Sequence, residues 1–433
     1  MLPIRATEPF LAFLQERRKS FYPEVEARVR EILARVKSGG DAALFDMMRT
    51  PPLGPGCDLS QTGLRVSEAE YAAAEQQVAA DVRAAMALAI ANVRAFHEPQ
   101  VPRSWFQTRP DGSILGQQVT ALDRVGVYVP GGAAPLFSCL YMVVVPAKVA
   151  GVREVILCTP PDQQGRIDPH MLVAARLCDV DAVYKLGGAQ AVGAMAYGTA
   201  SVPAVDKIAG PGNYYVILAK KLVFGPVGVD MLAGPTEVVA IADGAADPDW
   251  LAADLLSQAE HPDGMVILVT TSQAQAEAVG AAMARQVERL PRSAEMKKGV
   301  AELGAALVVG SLAEACAIAN RIAPEHLELE VADPWALLPL VKNAGAVFLG
   351  QHTPEAIGDY IGGPSNVIPT EGTPRYASAV NVEAFIKRTS VCAYSPAAFT
   401  AQAPAGVKLA LAEDLPAHAA SLQIRLDKGG PKE

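Results

Sequence analysis

The chain has 433 residues, of which 51% are hydrophobic and 19% charged, and its formal net charge is −9. That hydrophobicity excludes a disordered chain, and the length sets a prior of about three domains, or two large ones, at roughly 150 residues each. With no long Lys/Arg run, a nucleic-acid partner is not expected, because phosphate binding needs clustered positive charge.

The six cysteines, Cys57, Cys139, Cys158, Cys178, Cys316 and Cys392, are dispersed and form no CxxC pair. This is neither a disulfide framework nor a Cys-rich zinc module, and a reducing compartment is the expectation. The apolar run Phe10–Leu14 is too short for a signal-peptide core. Leu140–Val152 is interrupted by Pro146 and Lys148 and falls short of the ~20 residues of a membrane span. No membrane association and a cytoplasmic location are expected.

In chain order, residues 24–48 carry Val25, Val29, Ile32, Leu33 and Val36 at helical spacing. The PPLGPG stretch at 51–56 is a loop. Residues 67–97 form a long helical tract opened by Ser67 and Glu70, a capping-box pattern. A grammar of apolar strand, Gly-rich turn and helix follows. VGVYV (125–129) runs into Pro130-Gly131-Gly132, EVILC (154–158) into Thr159-Pro160-Pro161, AVYKL (182–186) into Gly187-Gly188, and DKI (206–208) into Gly210-Pro211-Gly212-Asn213.

The grammar returns after residue 235. Strands are expected at 237–241, 265–270, 307–309, 326–331 (HLELEV, alternating) and 346–349. Helices are expected at 250–260, 274–290 and 312–322. Strands alternating with helices imply parallel βαβ units. The tail from 381 is mixed and ends in a helix-start signal at Asp414 with Pro416 just inside. The fold class is therefore α/β, with two modules meeting near residue 235. No G-x-G-x-x-G fingerprint is present, since GPGNYY (210–215) lacks the third glycine.

Six histidines narrow the search for chemistry. Gln258 and His261, three apart in a helical stretch, share a helix face and suit a metal, or an ordinary solvated helix end. Glu325 and His326 follow Pro324 and offer two proton-transfer groups. On a regular strand they would point to opposite faces, so they converge only at a turn or strand end. Asp359 precedes a loop carrying Gly362, Gly363 and Pro364, fitting a cation ligand or simple turn chemistry. His418 lies in the tail, five residues after Glu413. Together these are nitrogen and oxygen donors without sulfur, a set that suits zinc.

The chain resembles the histidinol dehydrogenase family from about residue 24 to 426. The matching segments include RVGVYVPGG (124–132), LGGAQAVGAMAYGT (186–199), DKIAGPGN (206–213) and VDMLAGPTEVVAIAD (229–243). They continue with ADLLSQAEH (253–261), IAPEHLEL (322–329), NAGAVFLG (343–350), TPEAIGDYIGGP (353–364) and FIKRTS (385–390).

The resemblance implies two similar incomplete Rossmann-like modules with small terminal extensions. The implied division is an N-terminal segment 1–22, a discontinuous first module 23–127 plus 236–380, a second module 128–235, and a tail 381–433 swapped in a homodimer. The implied activity is oxidation of L-histidinol to L-histidine through the aldehyde, in histidine biosynthesis, with two NAD reduced and one zinc ion per subunit. By resemblance, Gln258, His261, Asp359 and His418 hold zinc, the last from the partner subunit. Glu325 activates water and His326 takes the alcohol proton. Tyr128, Gln190 and Asn213 contact NAD. Thr236, Asn366 and Glu413 join Gln258, His261, Glu325, Asp359 and His418 around the substrate.

Thr236 stands where serine is usual in the family, and Asn366, in Ser365-Asn366-Val367, where histidine is usual. Phe137, Cys139, Tyr141 and Val143 also depart from the pattern. They motivate an alternative, a dehydrogenase of the same superfamily acting on another primary alcohol. A catalytically silent metabolite-binding protein is the third reading, opposed by retention of Glu325, His326 and the four ligand positions. An acyl-enzyme mechanism through Cys139 fits least, since no His or Lys neighbours it to activate the thiol.

Overall fold

The computed structural model describes residues 1–18, 23–131, 135–261 and 263–429. Its strands, in chain order, are β1 (Trp105–Thr108), β2 (Ile114–Ala121), β3 (Arg124–Tyr128), β4 (Glu154–Thr159), β5 (Ala182–Lys185), β6 (Lys207–Ala209) and β7 (Gly228–Val229). They continue with β8 (Glu237–Ala242), β9 (Met265–Thr270), β10 (Ala305–Val308), β11 (His326–Glu330), β12 (Ala346–Leu349) and β13 (Ile386–Ala393).

Two five-stranded sheets follow, both parallel, in the orders β5-β4-β3-β6-β7 and β10-β9-β8-β11-β12. The permutation is the same in each. The first strand is central, the next two add on one side, and the last two on the other. This is the α/β architecture of two similar Rossmann-like halves, each with the strand-order reversal that leaves a crevice beside its central strand. Helical crossovers force the parallel pairing and cover both faces. Every residue of β8 and β9 is buried, including the polar Glu237 and Thr270 at their ends.

Residues Met1–Gln100 with Leu122–Phe385 make one compact unit holding both parallel sheets. The helix Pro23–Arg49 packs on the helices Gly188–Tyr197 and Tyr214–Val223, burying Val29, Ile32, Leu33 and Val36 against Val192 and Met195. The tract 67–97 is two helices, Glu68–Gln77 and Ala80–His97, because Val78 is extended. The capping box of Ser67 and Glu70 is present at its start. The uniformly apolar stretch after residue 136 is a helix, Phe137–Val149, buried on nearly every side.

The alternation of HLELEV predicts a half-exposed strand. Instead all five residues of β11 are buried, since the strand lies between β8 and β12 with helices on its faces. Glu328 and Glu330 are thus interior carboxylates. Gly132, in the expected turn after β3, lies outside the described residues.

The second unit comprises Val101–Ala121 and Ile386–Glu433. In it β2 pairs antiparallel with β1 and β13, and helices Pro396–Ala412 and Pro416–Gly429 pack on each other. The last helix begins at Pro416, as the sequence signal requires, with Asp414 left-handed at φ 55° in the connecting turn.

Candidate active site

Glu325 and His326 sit where β11 begins. The backbone of 324–325 continues the ladder into β12, since Gly345 N–H donates to the Pro324 carbonyl and Ala346 N–H to that of Glu325. The two side chains nevertheless approach, with Glu325 Oε2 at 3.8 Å from His326 Nδ1. Glu325 Oε2 also accepts the N–H of Glu237, the first residue of β8, at 3.1 Å. This places the pair at the amino ends of two adjacent parallel strands.

The helix Pro248–Ala259 runs antiparallel to those strands and brings its carboxy end to the same edge. Gln258, second from its end, is 1% exposed. Its amide orientation follows from its partners. The nitrogen donates to Glu355 Oε2 and Oε1 at 2.9 and 3.0 Å, and the oxygen accepts from the Thr236 hydroxyl at 2.5 Å. The short helix Glu355–Tyr360 carries Glu355 and, one turn on, Asp359. Glu355 Oε2 is 3.4 Å from His326 Nδ1, and Asp359 Oδ1 is 3.8 Å from His326 Nε2. Asn366 donates to the Asp359 carbonyl at 3.1 Å and to Ser138 Oγ at 3.4 Å. Tyr141 holds the same loop through a 2.8 Å bond to the Tyr360 carbonyl. His261 is exposed at the turn after Ala259, its N–H on the Gln258 carbonyl at 3.3 Å.

Burial sets the electrostatics. It pushes the Glu325 carboxyl well above its usual range, against the Glu237 N–H and the Thr236 hydroxyl, whose single proton Glu325 shares with the Gln258 amide oxygen. It pulls His326 down to about 4, helped by the nearby His261, so the imidazole is a free base at neutral pH. Asp359 is raised by burial to about 6. Among the described residues, neither ring nitrogen of His326, nor Asn366 Oδ1, has a hydrogen-bond partner, although all three atoms are buried. Buried polar atoms of native proteins are normally paired, so His326 Nε2 and Asn366 Oδ1 mark where a ligand's polar groups belong, Nδ1 being faced by Glu355.

The structure brings Thr236, Gln258, Glu325, His326, Asp359 and Asn366 to one sheet edge. Glu355, Ser257 and the interior Glu328 join them and went unnoticed in the sequence. The available signal was that Glu355 and Asp359 are four apart, hence on one helix face. His418 and Glu413 lie in the other compact unit, both exposed. Among the described residues, no three His, Cys, Asp or Glu side chains converge as a metal-binding group. Gln258, His261 and Asp359 still supply a carbonyl oxygen, an imidazole and a carboxylate of the kind zinc takes, so the donor set fits the ion.

Tyr128, Gln190 and Asn213 belong to the carboxy-terminal edge of the other parallel sheet. Each is engaged within the chain. The Tyr128 hydroxyl accepts the Gly188 N–H at 3.1 Å, Gln190 donates to the Leu53 carbonyl at 2.6 Å, and Asn213 caps its helix by accepting from Tyr215 and Val216 N–H. The Gly210 turn is pinned by a buried ion pair. Lys220 meets Asp230 and donates to the Gly210 carbonyl at 2.9 Å, and Asp230 Oδ2 accepts the Gly210 N–H at 2.8 Å. Gly210 has φ +115°, and a Cβ there would collide with the Tyr128 carbonyl.

The histidinol dehydrogenase family model matches residues 15–426. The chain belongs to the histidinol dehydrogenase family. It is 67% identical over 429 residues to the histidinol dehydrogenase of Symbiobacterium thermophilum, covering 99% of this chain and 97% of that one. The histidinol dehydrogenase of a Synechococcus strain is 50% identical over 401 residues, 92% of each chain. A crystal structure of histidinol dehydrogenase from Elizabethkingia anophelis superposes with a TM-score of 0.92 at 33% identity, covering 99% of this chain and 98% of that one. No helix among the described residues is long and apolar enough to cross a membrane.

The surroundings of Cys139 oppose an acyl-enzyme. Its thiol is buried in the helix Phe137–Val149 and pushed up to about 12, first by burial and then by the Asp359 carboxylate. It is therefore protonated and a poor nucleophile at neutral pH.

Proposed function

We propose that this chain oxidises L-histidinol to L-histidine through the aldehyde, reducing two NAD, at the site centred on His326. The observation that carries the site assignment is a buried imidazole whose nitrogens make no hydrogen bond among the described residues, beside the buried Glu325 carboxyl. His326 takes the hydroxyl proton as hydride leaves the carbinol carbon. Glu325 takes a proton from the water whose oxygen adds to the aldehyde carbon while His326 returns its proton to the aldehyde oxygen, giving the hydrate. His326, having released its first proton, then takes a hydroxyl proton from the hydrate as the second hydride leaves. A base raised by burial suits the hydration step, and a neutral imidazole suits both oxidations.

A zinc ion held by Gln258, His261, Asp359 and His418 would anchor and orient the substrate's amine and imidazole. We assign substrate contacts also to Thr236, Asn366 and Glu413, with the tail residues supplied by the second subunit of a homodimer. Asn366 is held by Asp359 and Ser138 and keeps a free acceptor, so it offers the substrate a hydrogen bond but no charge. NAD is assigned to the crevice edge bearing Tyr128, Gln190 and Asn213. Accepting from Gly188 leaves the Tyr128 hydroxyl its proton to donate, and donating to Leu53 leaves the Gln190 amide its oxygen, so both side chains keep a group for the cofactor.

The test is NADH formation by zinc-loaded protein. L-Histidinol should yield two NADH and histidine, while plain amino alcohols and diols should be turned over far more slowly. Zinc-dependent oxidation of another alcohol without turnover of histidinol would overturn the assignment. His326→Asn should abolish turnover and leave zinc content unchanged, whereas an active variant would refute the role of His326.

A further inference from the structure

An amide has two chemically opposite ends, an oxygen that accepts and a nitrogen that donates. Nothing in glutamine itself decides which end faces a site, and at Gln258 bulk water does not decide it either, because the residue is 1% exposed. The neighbours decide. Glu355 offers the amide nitrogen two carboxyl oxygens at 2.9 and 3.0 Å, which turns the amide oxygen to the Thr236 hydroxyl. A cation or a substrate ammonium at Gln258 needs that oxygen.

Glu355 is itself fixed. Its Oε1 lies 3.1 Å from Ser257 Oγ, and its backbone N–H donates to Glu328 Oε1 at 2.9 Å. The same carboxyl is the acidic group nearest His326 Nδ1, at 3.4 Å against 3.8 Å for Glu325, while Nε2 faces Asp359. An acid that contacts one ring nitrogen directs the other toward the chemistry. We propose that Glu355 is a positioning residue of this reaction, setting the polarity of the Gln258 amide and orienting the His326 ring with Nε2 toward Asp359. The inference rests on the assignment of Gln258 and His326 given above.

A glutamine at position 355 keeps the shape but presents one donor and one acceptor, so the Gln258 amide is free to turn. Glu355→Gln should weaken zinc affinity of the full-length protein about 10- to 100-fold, the usual effect of losing such an outer partner, read by competition with a chromophoric chelator. It should also lower kcat at saturating zinc more than it raises KM for histidinol. The swap Glu355→Gln/Gln258→Glu presents an oxygen to the site whichever way it turns. It should therefore bind zinc more tightly than Glu355→Gln alone, a recovery that a merely structural role does not produce. Glu355→Asp, which keeps the acceptor, should hold zinc better than Glu355→Gln, or better than Glu355→Ala if Glu355→Gln does not fold. Zinc affinity and kcat within about twofold of the parent for Glu355→Gln, a swap no tighter than the single variant, or Glu355→Asp no better than Glu355→Gln would each overturn the proposal. An active His326→Asn would instead indict the site assignment itself.

Discussion

Glu330, the last residue of β11, is 1% exposed, yet it carries a carboxyl. Burial, with a further push from Asp254, raises it from its ordinary 4.5 to about 7. The sign follows from proton counting. Below about 4.5 both folded and unfolded chains hold the proton, and this group contributes nothing. Between the two values the unfolded chain ionises while the folded one keeps its proton, so stability falls as pH rises, and above about 7 the loss is complete. At about 1.4 kcal/mol per tenfold change, the span from 4.5 to about 7 corresponds to about 3 kcal/mol. Ala332, two residues on, is already exposed, and allowing for screening by nearby solvent leaves about 2 kcal/mol.

Glu330→Gln removes the ionisation and keeps the shape. It should stabilise the protein at pH 8 by that amount and at pH 5 by about a quarter of it. For 433 residues, unfolding entropy near 2.1 cal/mol/K per residue converts this to a Tm rise of about 2 °C at pH 8. Scanning calorimetry at the two pH values reads it. An equal rise at both, or none at pH 8, would refute the claim that a neutral carboxyl is buried at this strand end.

Three other outcomes are expected. Lys220→Met leaves Asp230 buried without its cation and should cost about 3–5 kcal/mol in chemical unfolding. Because the pair pins the Gly210 turn, KM for NAD should rise while KM for histidinol holds. His418→Asn should lower the zinc retained after dialysis without moving the Tm of chelator-treated protein, and mixed dimers with a Glu325→Ala partner should regain activity if the two sites share residues across subunits. Cys139→Ser should keep kcat within about threefold, since a thiol raised this far supplies no thiolate; loss of turnover with a retained burst of NADH would argue for an acyl-enzyme.

The α/β grammar was legible because strands buried on both faces are unbroken apolar runs between Gly-rich turns, as at β4, β8 and β9. The helix Phe137–Val149 was not, because a helix apolar all round has no 3.6-residue periodicity to see. The exposed strand β1 and the polar β2 and β13 lack alternation and escaped for the opposite reason. At the site, Pro324 pointed to a strand start at Glu325 and His326, and helix spacing to Gln258. The interior carboxylates did not show. Glu328 and Glu330 alternate with leucines as solvent-facing residues do, and only the sheet order, with β11 between β8 and β12, reveals that no solvent face exists. Asn213, read through the resemblance as a cofactor contact, is also the N-cap of its helix, a role that its place in GPGN already allowed.

The closed circuit from Glu325 to Thr236, Gln258, Glu355 and His326 joins four stretches of chain that lie far apart in sequence. Its links are side chains, and each stretch alone is an ordinary strand start or helix end. A fragment that omits one of these stretches leaves the circuit open, so catalytic competence is a property of the finished tertiary structure. Changes far from the reacting atoms reach the chemistry through these links wherever they shift β8 against the helix Glu355–Tyr360.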